Sequence, residues 1–405
     1  MRCVYAAAVV MAALLATAPV CSGAEQVKLP ADDPFAGLAH GPYRTGTEEQ
    51  LWIDEQRLET TTQVADDRRP LLVQIWYPAK VSKEAQRAPY ILNPQLYSTE
   101  LQKGFARYKD VRAASVRAAP LASEPGRLPI LLYNPGGGAQ VFTGVVQAEF
   151  LASHGYLVVG IGHTGLNGIE RFPDGSTYLP DVEIQPRFSE EEKQALSEEE
   201  RFQRTVKHYA ERMMPTHVED IRFVLNRLAR ANATPGDRFH NRLDLERVGA
   251  LGWSLGGALA LQATRDEPRV KAAVNLDGWL FTDVADSGTQ RPIMQLRTGP
   301  VVEADEGADV REVEASAESR FWKLYARSGA DWFDVMLPRA RHGHFSASSL
   351  LLPHDPRRLH PTLAHDIVNG YVLEFFDTYL RGREPGVLLS GQRSFPEAGL
   401  IRNKK

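Results

Sequence analysis

The chain has 405 residues, of which 43% are hydrophobic and 24% charged, and its formal net charge at pH 7 is −4. These values are typical of a globular protein with a sizeable core, and the slightly acidic balance argues against nucleic acid as a partner. The two cysteines, Cys3 and Cys21, both fall in the first 24 residues, so the rest of the chain offers no disulfide, cysteine-ligated zinc or cysteine nucleophile.

The first 24 residues have the pattern of a secretory signal peptide. Arg2 precedes the apolar run VYAAAVVMAALLATAPV, and Ser22-Gly23-Ala24 supplies the small residues that a signal peptidase requires. The run is shorter than the ~20 residues of a membrane-spanning helix, which disfavours an uncleaved anchor. Lipidation of Cys21 is disfavoured because Val20 stands where a small residue usually precedes a lipidated cysteine. We therefore expect cleavage after Ala24, a secreted or periplasmic location, and no integral membrane association afterwards.

Residues 25–43 show little periodicity and are expected to form an extended arm ahead of one domain that spans residues 44–405. In that domain, short apolar runs bounded by glycine or proline predict buried strands, and segments of helical periodicity lie between several of them. This alternation predicts an α/β fold with a mostly parallel central sheet and helices on both faces. The predicted strands are 71–79, 128–134, 156–163, 247–253, 270–276, 292–297 and 332–337, and the predicted helices are 145–155, 218–230, 256–266 and 363–382.

The stretch from Gly165 to His217 interrupts this alternation. It starts as a loop rich in glycine, proline and aspartate and continues as SEEEKQALSEEERFQRTVKHYAERMM, which contains two capping boxes and one amphipathic helix. The pattern fits either a surface helix packed at the sheet edge or a lid over an active site, and both remain open. The capping pairs are Ser189 with Glu192 and Ser197 with Glu200, and the apolar face consists of Phe202, Val206, Tyr209 and Met213.

A GxSxG pattern, Gly252-Trp253-Ser254-Leu255-Gly256, joins the predicted strand RVGALGW to an Ala/Leu-rich helix. In a nucleophile elbow the serine occupies a strained turn between strand and helix, and the flanking glycines keep side chains from colliding with their neighbours. A turn serine without a catalytic role is the alternative. The strand before the pattern and the helix after it favour Ser254 as a nucleophile.

A serine nucleophile needs a base and an acid, which follow it in the order Ser, Asp or Glu, His in α/β-hydrolases. Asp277 directly ends the predicted strand VKAAVNL. Asp305 is a competing acid in GPVVEADEG, but the loop around it offers no tight turn to fix one carboxylate. Placement at a strand end therefore favours Asp277.

Two histidines are candidates for the base, because the strand WFDVML leads through PRAR to His342-Gly343-His344-Phe345. Either imidazole could reach the serine from a loop. His154 precedes the predicted strand 156–163 and His163 ends it, and histidines at such positions more often serve in packing or as supporting groups than as bases.

The oxyanion of a tetrahedral intermediate needs two backbone N–H donors. One should be the amide of Leu255, which follows the serine. The other should come from the loop Pro135-Gly136-Gly137-Gly138 after the strand LPILLYN, where glycines let the main chain approach an oxyanion closely.

In this combination the chain resembles the plasma-type platelet-activating-factor acetylhydrolases (lipoprotein-associated phospholipase A2) and their secreted bacterial carboxylesterase relatives, which have the α/β-hydrolase fold. The matching segments extend over most of the chain and occur in the family's order. They are QIWYPA at 74–79, the glycine loop at 135–138, LASHGYLVV at 151–159, GWSLGG at 252–257, NLDGW at 275–279, HGHF at 342–345 and FFDTYLRG at 375–382.

The resemblance implies a calcium-independent serine esterase that uses no cofactor or metal and acts on a small-molecule or lipid ester. It assigns the acid to Asp277, the base to His342, and the oxyanion amides to Leu255 and Gly137. We expect short-chain or small esters as substrates, because Pro135-Gly136 replaces the His-Gly usual in mammalian members and argues against phospholipid specificity. Phospholipid acetylhydrolase or polyester hydrolase activity is the close alternative. A non-catalytic binding protein on a hydrolase scaffold is the rival from another class.

Overall fold

A computed structural model of the protein describes residues 33–59, 66–97, 99–167, 170–171, 177–178, 188–299, 308–392 and 395–403. The predicted signal peptide, the first part of the arm and Asp305 lie outside these ranges. The described part of the arm, residues 33–43, contains turns but neither a helix nor a strand.

Ten of the described strands form a single sheet in the order β12-β11-β10-β9-β8-β4-β5-β2-β1-β3, and β6 and β7 pair separately. The strands are β1 (Thr45–Leu58), β2 (Arg68–Pro78), β3 (Val116–Arg117), β4 (Leu128–Asn134), β5 (Leu157–Gly162), β6 (Glu170–Arg171), β7 (Thr177–Tyr178), β8 (Leu243–Trp253), β9 (Val270–Leu276), β10 (Ile293–Thr298), β11 (Trp332–Leu337) and β12 (Gly399–Arg402).

The described helices lie between these strands in the sequence. They are α1 (Thr99–Phe105), α2 (Val145–Ser153), α3 (Glu190–Ala195), α4 (Glu198–His208), α5 (Met214–Ala233), α6 (Leu255–Asp266), α7 (Val284–Ser287), α8 (Ala308–Arg327), α9 (Ser348–Leu351) and α10 (Pro361–Arg381).

The centre of the sheet is parallel, as predicted. Strands β5, β4, β8, β9, β10 and β11 run in one direction, whereas β2 and β12 are antiparallel to their neighbours. All seven predicted strands are present, because strands buried on both faces are nearly continuous apolar runs. The mixed sheet with helices on both faces is the α/β-hydrolase fold.

Strand β1 was not predicted from the sequence. Its segment TGTEEQLWIDEQRL carries many polar residues, because it lies near the edge of the sheet and pairs with β2 and the two-residue strand β3. Trp52 is buried whereas Ile53 is 41% exposed, so this strand has one wet face and lacks an apolar run.

The core consists of two apolar layers on opposite faces of the sheet. Tyr371 and Phe375 of α10 pack in one layer together with α2, which completes that face. Ile221 of α5 and Leu259 of α6 pack in the other layer, to which α8 also contributes. Each of the four helices predicted from periodicity contributes buried residues to one of the two layers.

The strand order reverses at β4. The chain passes from β4 to β5 on one side, and β8 then pairs with β4 on the other side, with Asn134 opposite Gly252. Such a reversal opens a crevice at the carboxyl ends of the two strands, which is where open α/β sheets bind ligands. The glycine loop after β4 and Ser254 after β8 therefore begin at neighbouring points.

The insertion contains both predicted capping boxes, at the starts of α3 and α4. A π-helical turn, Tyr209–Met213, joins α4 to α5. The predicted apolar face of α4 is buried: the ring of Phe202 lies 6.0 Å from that of Trp279 and 5.7 Å from that of Phe281. The insertion thus packs on the segment that follows β9. No helix in the described part of the chain has the length and apolarity to cross a membrane.

Candidate active site

Ser254 lies in a sharp turn between β8 and α6, with φ +57° and ψ −128°. This is a sparsely populated conformation for a residue with a side chain and is typical of a nucleophile elbow. The neighbouring glycines are required sterically. A Cβ on Gly252 would lie 2.2 Å from the carbonyl oxygen of Gly256, and one on Gly256 would lie 2.1 Å from that of Asn134.

Asp277 follows β9 directly and binds His342 through its carboxylate. The distance between Asp277 Oδ2 and His342 Nδ1 is 2.8 Å. The other carboxylate oxygen accepts hydrogen bonds from the backbone N–H of Thr298, at 2.7 Å, and from its hydroxyl, at 3.1 Å. Both oxygens are thus occupied, which fixes the rotamer of the carboxylate.

His342 begins a 3-10 turn after β11, and its side chain is 19% exposed. The indole Nε1–H of Trp253 donates a hydrogen bond of 3.0 Å to the His342 carbonyl oxygen. The two rings lie 4.8 Å apart between centroids, inclined by 32°. Because Trp253 immediately precedes Ser254, this hydrogen bond places the Asp277–His342 pair next to the turn that carries Ser254, at the carboxyl edge of the sheet.

His344, the other candidate base, is fully engaged elsewhere. Its Nδ1 accepts from the backbone N–H of Arg341 at 2.9 Å, and its Nε2 lies 2.9 Å from the carbonyl oxygen of Leu359. Burial lowers the pKa of this imidazole, against the opposing effect of the backbone hydrogen bonds. His344 therefore stabilises the loop that presents His342.

The glycine loop after β4 lies against the elbow. A Cβ on Gly136 would meet Ser254 Cβ at 3.0 Å, and one on Gly137 would meet the Leu255 side chain at 3.5 Å. Leu255 is the first residue of α6, where backbone N–H groups lack intrahelical acceptors and the helix dipole favours negative charge. The two predicted oxyanion residues are thus neighbours.

A second cluster of titratable residues, His163, His217 and Asp220, lies next to Asn134, which precedes the glycine loop. Their ligand atoms lie within 4.8 Å of one another, a spacing that could accommodate a metal ion. However, Arg69 Nε and Nη2 already donate to Asp220 at 2.6 and 2.7 Å, and Arg57 donates at 2.7 Å. Two guanidinium groups on the same carboxylate oppose the approach of a cation.

The charges in this cluster are paired. Burial raises the pKa of the Asp220 carboxyl, but Arg69 lowers it more, and the net result lies well below the ordinary value. Burial lowers the pKa of His163, and Asp220 opposes that effect. The cluster is better described as a buried ion-pair network than as a metal centre.

Three residues that support the site were not predicted from the sequence. Thr298 holds Asp277, Trp253 holds the backbone of His342, and Asn167 donates from Nδ2 to the Gly136 carbonyl oxygen at 3.1 Å. Each acts through a contact between segments that are distant in the sequence. A polar residue that ends a strand, such as Thr298 at the end of β10, is the one pattern that could have been noticed.

Comparisons with known proteins agree with this architecture. The family of PET hydrolase-like proteins (PETase) matches residues 214–300, which include Ser254 and Asp277. A probable 1-alkyl-2-acetylglycerophosphocholine esterase of Arthroderma benhamiae is 24% identical over 289 residues, 67% of this chain. The match spans 65% of that relative's own length.

A solved structure, the ferulic acid esterase from Streptomyces cinnamoneus, superposes with a TM-score of 0.66 at 25% identity and covers 92% of this chain and 100% of that one. All three similar proteins or families are named for ester hydrolysis. Together with the sheet order and the strained elbow, these similarities show that the chain has the α/β-hydrolase fold and is similar to esterases of that fold.

Proposed function

We propose that this protein is a serine carboxylic ester hydrolase with Ser254 as nucleophile, His342 as base and Asp277 as acid. The observation that carries the proposal is the 2.8 Å bond between Asp277 and His342 beside the elbow of Ser254. Asp277 would keep the proton on Nδ1 and leave Nε2 free to act as base. The elbow geometry and the similarity to two esterases and to the PET hydrolase-like family support the same assignment.

In the first half-reaction, His342 Nε2 takes the hydroxyl proton as Ser254 Oγ attacks the ester carbonyl carbon. The carbonyl electron pair moves to oxygen, and the backbone N–H groups of Leu255 and Gly137 stabilise this oxyanion. When the intermediate collapses, the bond to the alcohol breaks and His342 returns the proton to the leaving oxygen. The acyl group remains on Ser254.

In the second half-reaction a water molecule replaces the alcohol. His342 takes a proton from the water, and the new oxygen–carbon bond produces a second tetrahedral intermediate. Collapse of this intermediate releases the carboxylic acid, and the proton returns to Ser254 Oγ.

The assignment of the nucleophile is tested with Ser254→Ala. We expect hydrolysis of p-nitrophenyl acetate to fall to background and covalent labelling by a fluorophosphonate to disappear, because no other group would carry the acyl chain. The wild-type protein should be labelled once, on the peptide that contains residue 254. A non-catalytic binding protein would leave the wild-type chain unlabelled, and turnover by the variant would rule out Ser254.

We propose small or short-chain esters as substrates, with phospholipid acetyl esters and polyesters as alternatives. The similar proteins differ in this respect, since their names refer to an acetyl ester, a ferulate ester and a polyester. Comparison of p-nitrophenyl esters of increasing acyl length with methyl ferulate and an acetylated glycerophosphocholine separates these classes. A preference for long acyl chains would contradict the small-ester proposal.

We also propose export, with cleavage of the signal after Ala24. The support is the charged, apolar and small-residue pattern of the first 24 residues. The mass and N-terminal sequence of the protein recovered from a bacterial periplasm or medium should correspond to a chain that starts at Glu25. Recovery of the full-length chain in membranes would instead favour the anchor.

A further inference from the structure

The loop Pro135-Gly136-Gly137-Gly138 is tied to a turn formed by residues 163–167. The backbone N–H of Gly138 donates to the carbonyl oxygen of Leu166 at 2.8 Å. In the opposite direction, the side-chain Nδ2 of Asn167 donates to the carbonyl oxygen of Gly136 at 3.1 Å. The glycine loop is therefore held on both sides of Gly137.

Asn167 is buried, with 1% of its surface exposed, and both the oxygen and the nitrogen of its side-chain amide form hydrogen bonds. Its Oδ1 accepts the backbone N–H of His163 at 2.6 Å, while Nδ2 faces Gly136. Its backbone carbonyl oxygen accepts a further bond from Gln140 Nε2. A buried amide with both of its groups paired has one favoured orientation, because a flip would set donor against donor and acceptor against acceptor.

The buried ion-pair network of Arg69, His163 and Asp220 holds the turn that carries Asn167. His163 Nδ1 lies 2.9 Å from Asp220 Oδ2, and its Nε2 lies 3.0 Å from Asn134 Oδ1. Arg69 binds Asp220 and also donates to the carbonyl oxygen of Thr164 at 3.1 Å. The network thus joins the segment before the insertion, the helix α5 after it, and the end of β4.

The bond to Gly136 matters because of peptide geometry. The carbonyl of Gly136 and the N–H of Gly137 belong to one planar trans peptide unit and point in opposite directions. A hydrogen-bond donor to the Gly136 carbonyl oxygen therefore sets the direction of the Gly137 N–H. Between two glycines this plane would otherwise rotate with little steric resistance.

We propose that Asn167 is a positioning residue that holds the Gly136–Gly137 peptide plane, so that the Gly137 N–H points at the oxyanion. This inference rests on the proposed function. Asn167 does not touch the substrate; it acts through the peptide that does. The Asn167 side chain thereby fixes the direction of the Gly137 N–H before substrate binds. Such preorganisation avoids the cost of reorienting the donor during each reaction.

The test uses Asn167→Ala in the full protein, with Asn403→Ala as a matched control. Asn403 also donates from Nδ2 to a backbone carbonyl oxygen, at 3.2 Å, and accepts from a backbone N–H, at 2.8 Å, but beside β12 at the far edge of the sheet. Removing an oxyanion donor outright costs about 10²- to 10³-fold in kcat, so misdirecting one should cost about tenfold or more.

We expect Asn167→Ala to lower kcat on p-nitrophenyl acetate by that factor, with KM within about twofold and a parallel loss of affinity for a trifluoromethyl ketone. This inhibitor forms a tetrahedral oxyanion on the serine. The control should leave all three quantities unchanged. An unchanged kcat, or a kcat loss without loss of ketone affinity, would overturn the proposal.

A second variant keeps the proposal testable if Asn167→Ala does not fold. Asn167→Asp retains the acceptor for the His163 N–H and loses only the donor towards Gly136. When its carboxyl group is protonated at low pH, the hydroxyl again donates, so the ratio of variant to wild-type kcat should rise as pH falls. A flat ratio would overturn the inference, whereas an inactive, unlabelled wild-type protein would overturn the proposed function itself.

Discussion

Ser254 and Asp277 share an uncommon backbone conformation, with φ +57° at both residues. Each follows a parallel strand, and each donates its backbone N–H to a leucine carbonyl on the next strand. Ser254 donates to Leu276 at 2.8 Å, and Asp277 donates to Leu296 at 2.7 Å. Such strain costs about 1–3 kcal/mol per residue, and it persists here because these hydrogen bonds hold each turn on its neighbouring strand.

The side chain of Trp253 gives a test at the same scale. Trp253→Phe keeps an aromatic ring over His342 but removes the Nε1–H donor to the His342 carbonyl oxygen. A hydrogen bond of this kind contributes about 0.5–1.5 kcal/mol, so kcat on p-nitrophenyl acetate should fall about two- to tenfold with little change in KM. Trp322→Phe, at a tryptophan that is 42% exposed, is the control and should match wild type. An unchanged kcat in Trp253→Phe would mean that the loop holds His342 without this bond.

At the scale of elements, helix α4 is joined to the site by aromatic contacts. Phe202 is 5% exposed and packs between Trp279 and Phe281, which follow Asp277 within four residues. Tyr209, in the π-helical turn seven residues further along, has its ring 5.3 Å from that of Phe281. The insertion therefore stabilises the segment that follows Asp277.

The variant Phe202→Ala measures how much the Phe202 side chain contributes to the free energy of unfolding. Truncation of a buried phenylalanine typically costs about 3–5 kcal/mol, and urea denaturation should report a loss of that order. Lys207→Ala on the same helix, where the side chain is 74% exposed, should change the free energy of unfolding by less than about 0.5 kcal/mol. Equal stability of the two variants would show that α4 is only loosely attached.

At the scale of the whole molecule, the stability should depend on pH through its buried histidines. Burial is the main cause that lowers the pKa of His163, His217, His344 and His365. Below pH 6.5 the unfolded chain takes up protons that these residues do not bind in the folded state. The stability is therefore highest above that pH and falls as the solution becomes more acidic.

His365 offers the sharpest single test, because burial lowers its pKa to about 3. Its Nδ1 lies 3.1 Å from Gln147 Nε2, and its Nε2 lies 3.2 Å from the Ser349 hydroxyl. When the pH is lowered from 7.5 to 5.5, the free energy of unfolding of the wild type should fall by about 1.4 kcal/mol more than that of His365→Gln. Urea denaturation at each pH measures this difference. A constant difference between the two proteins would contradict a neutral buried imidazole.

The sequence by itself predicted the elements with strong local patterns. The strands of the parallel centre are apolar runs, the helices have their own periodicity, and the two capping boxes depend on residues only three apart. GxSxG could be interpreted because a strand precedes it and a helix follows it. The edge strand β1 was missed because one of its faces meets water and its run is not apolar.

Only the tertiary structure decided which side chains meet. Asp277 and His342 are 65 residues apart, and their 2.8 Å contact exists because β9, β10 and β11 end at the same edge of the sheet. The residues that position the site also meet their partners only in the folded chain. Thr298 binds Asp277 from the neighbouring strand, and Asn167 binds Gly136 from a turn more than 30 residues later in the sequence. Local pattern determines an element because its interactions are close in sequence, whereas a site depends on pairings that the packed sheet alone brings within hydrogen-bonding distance.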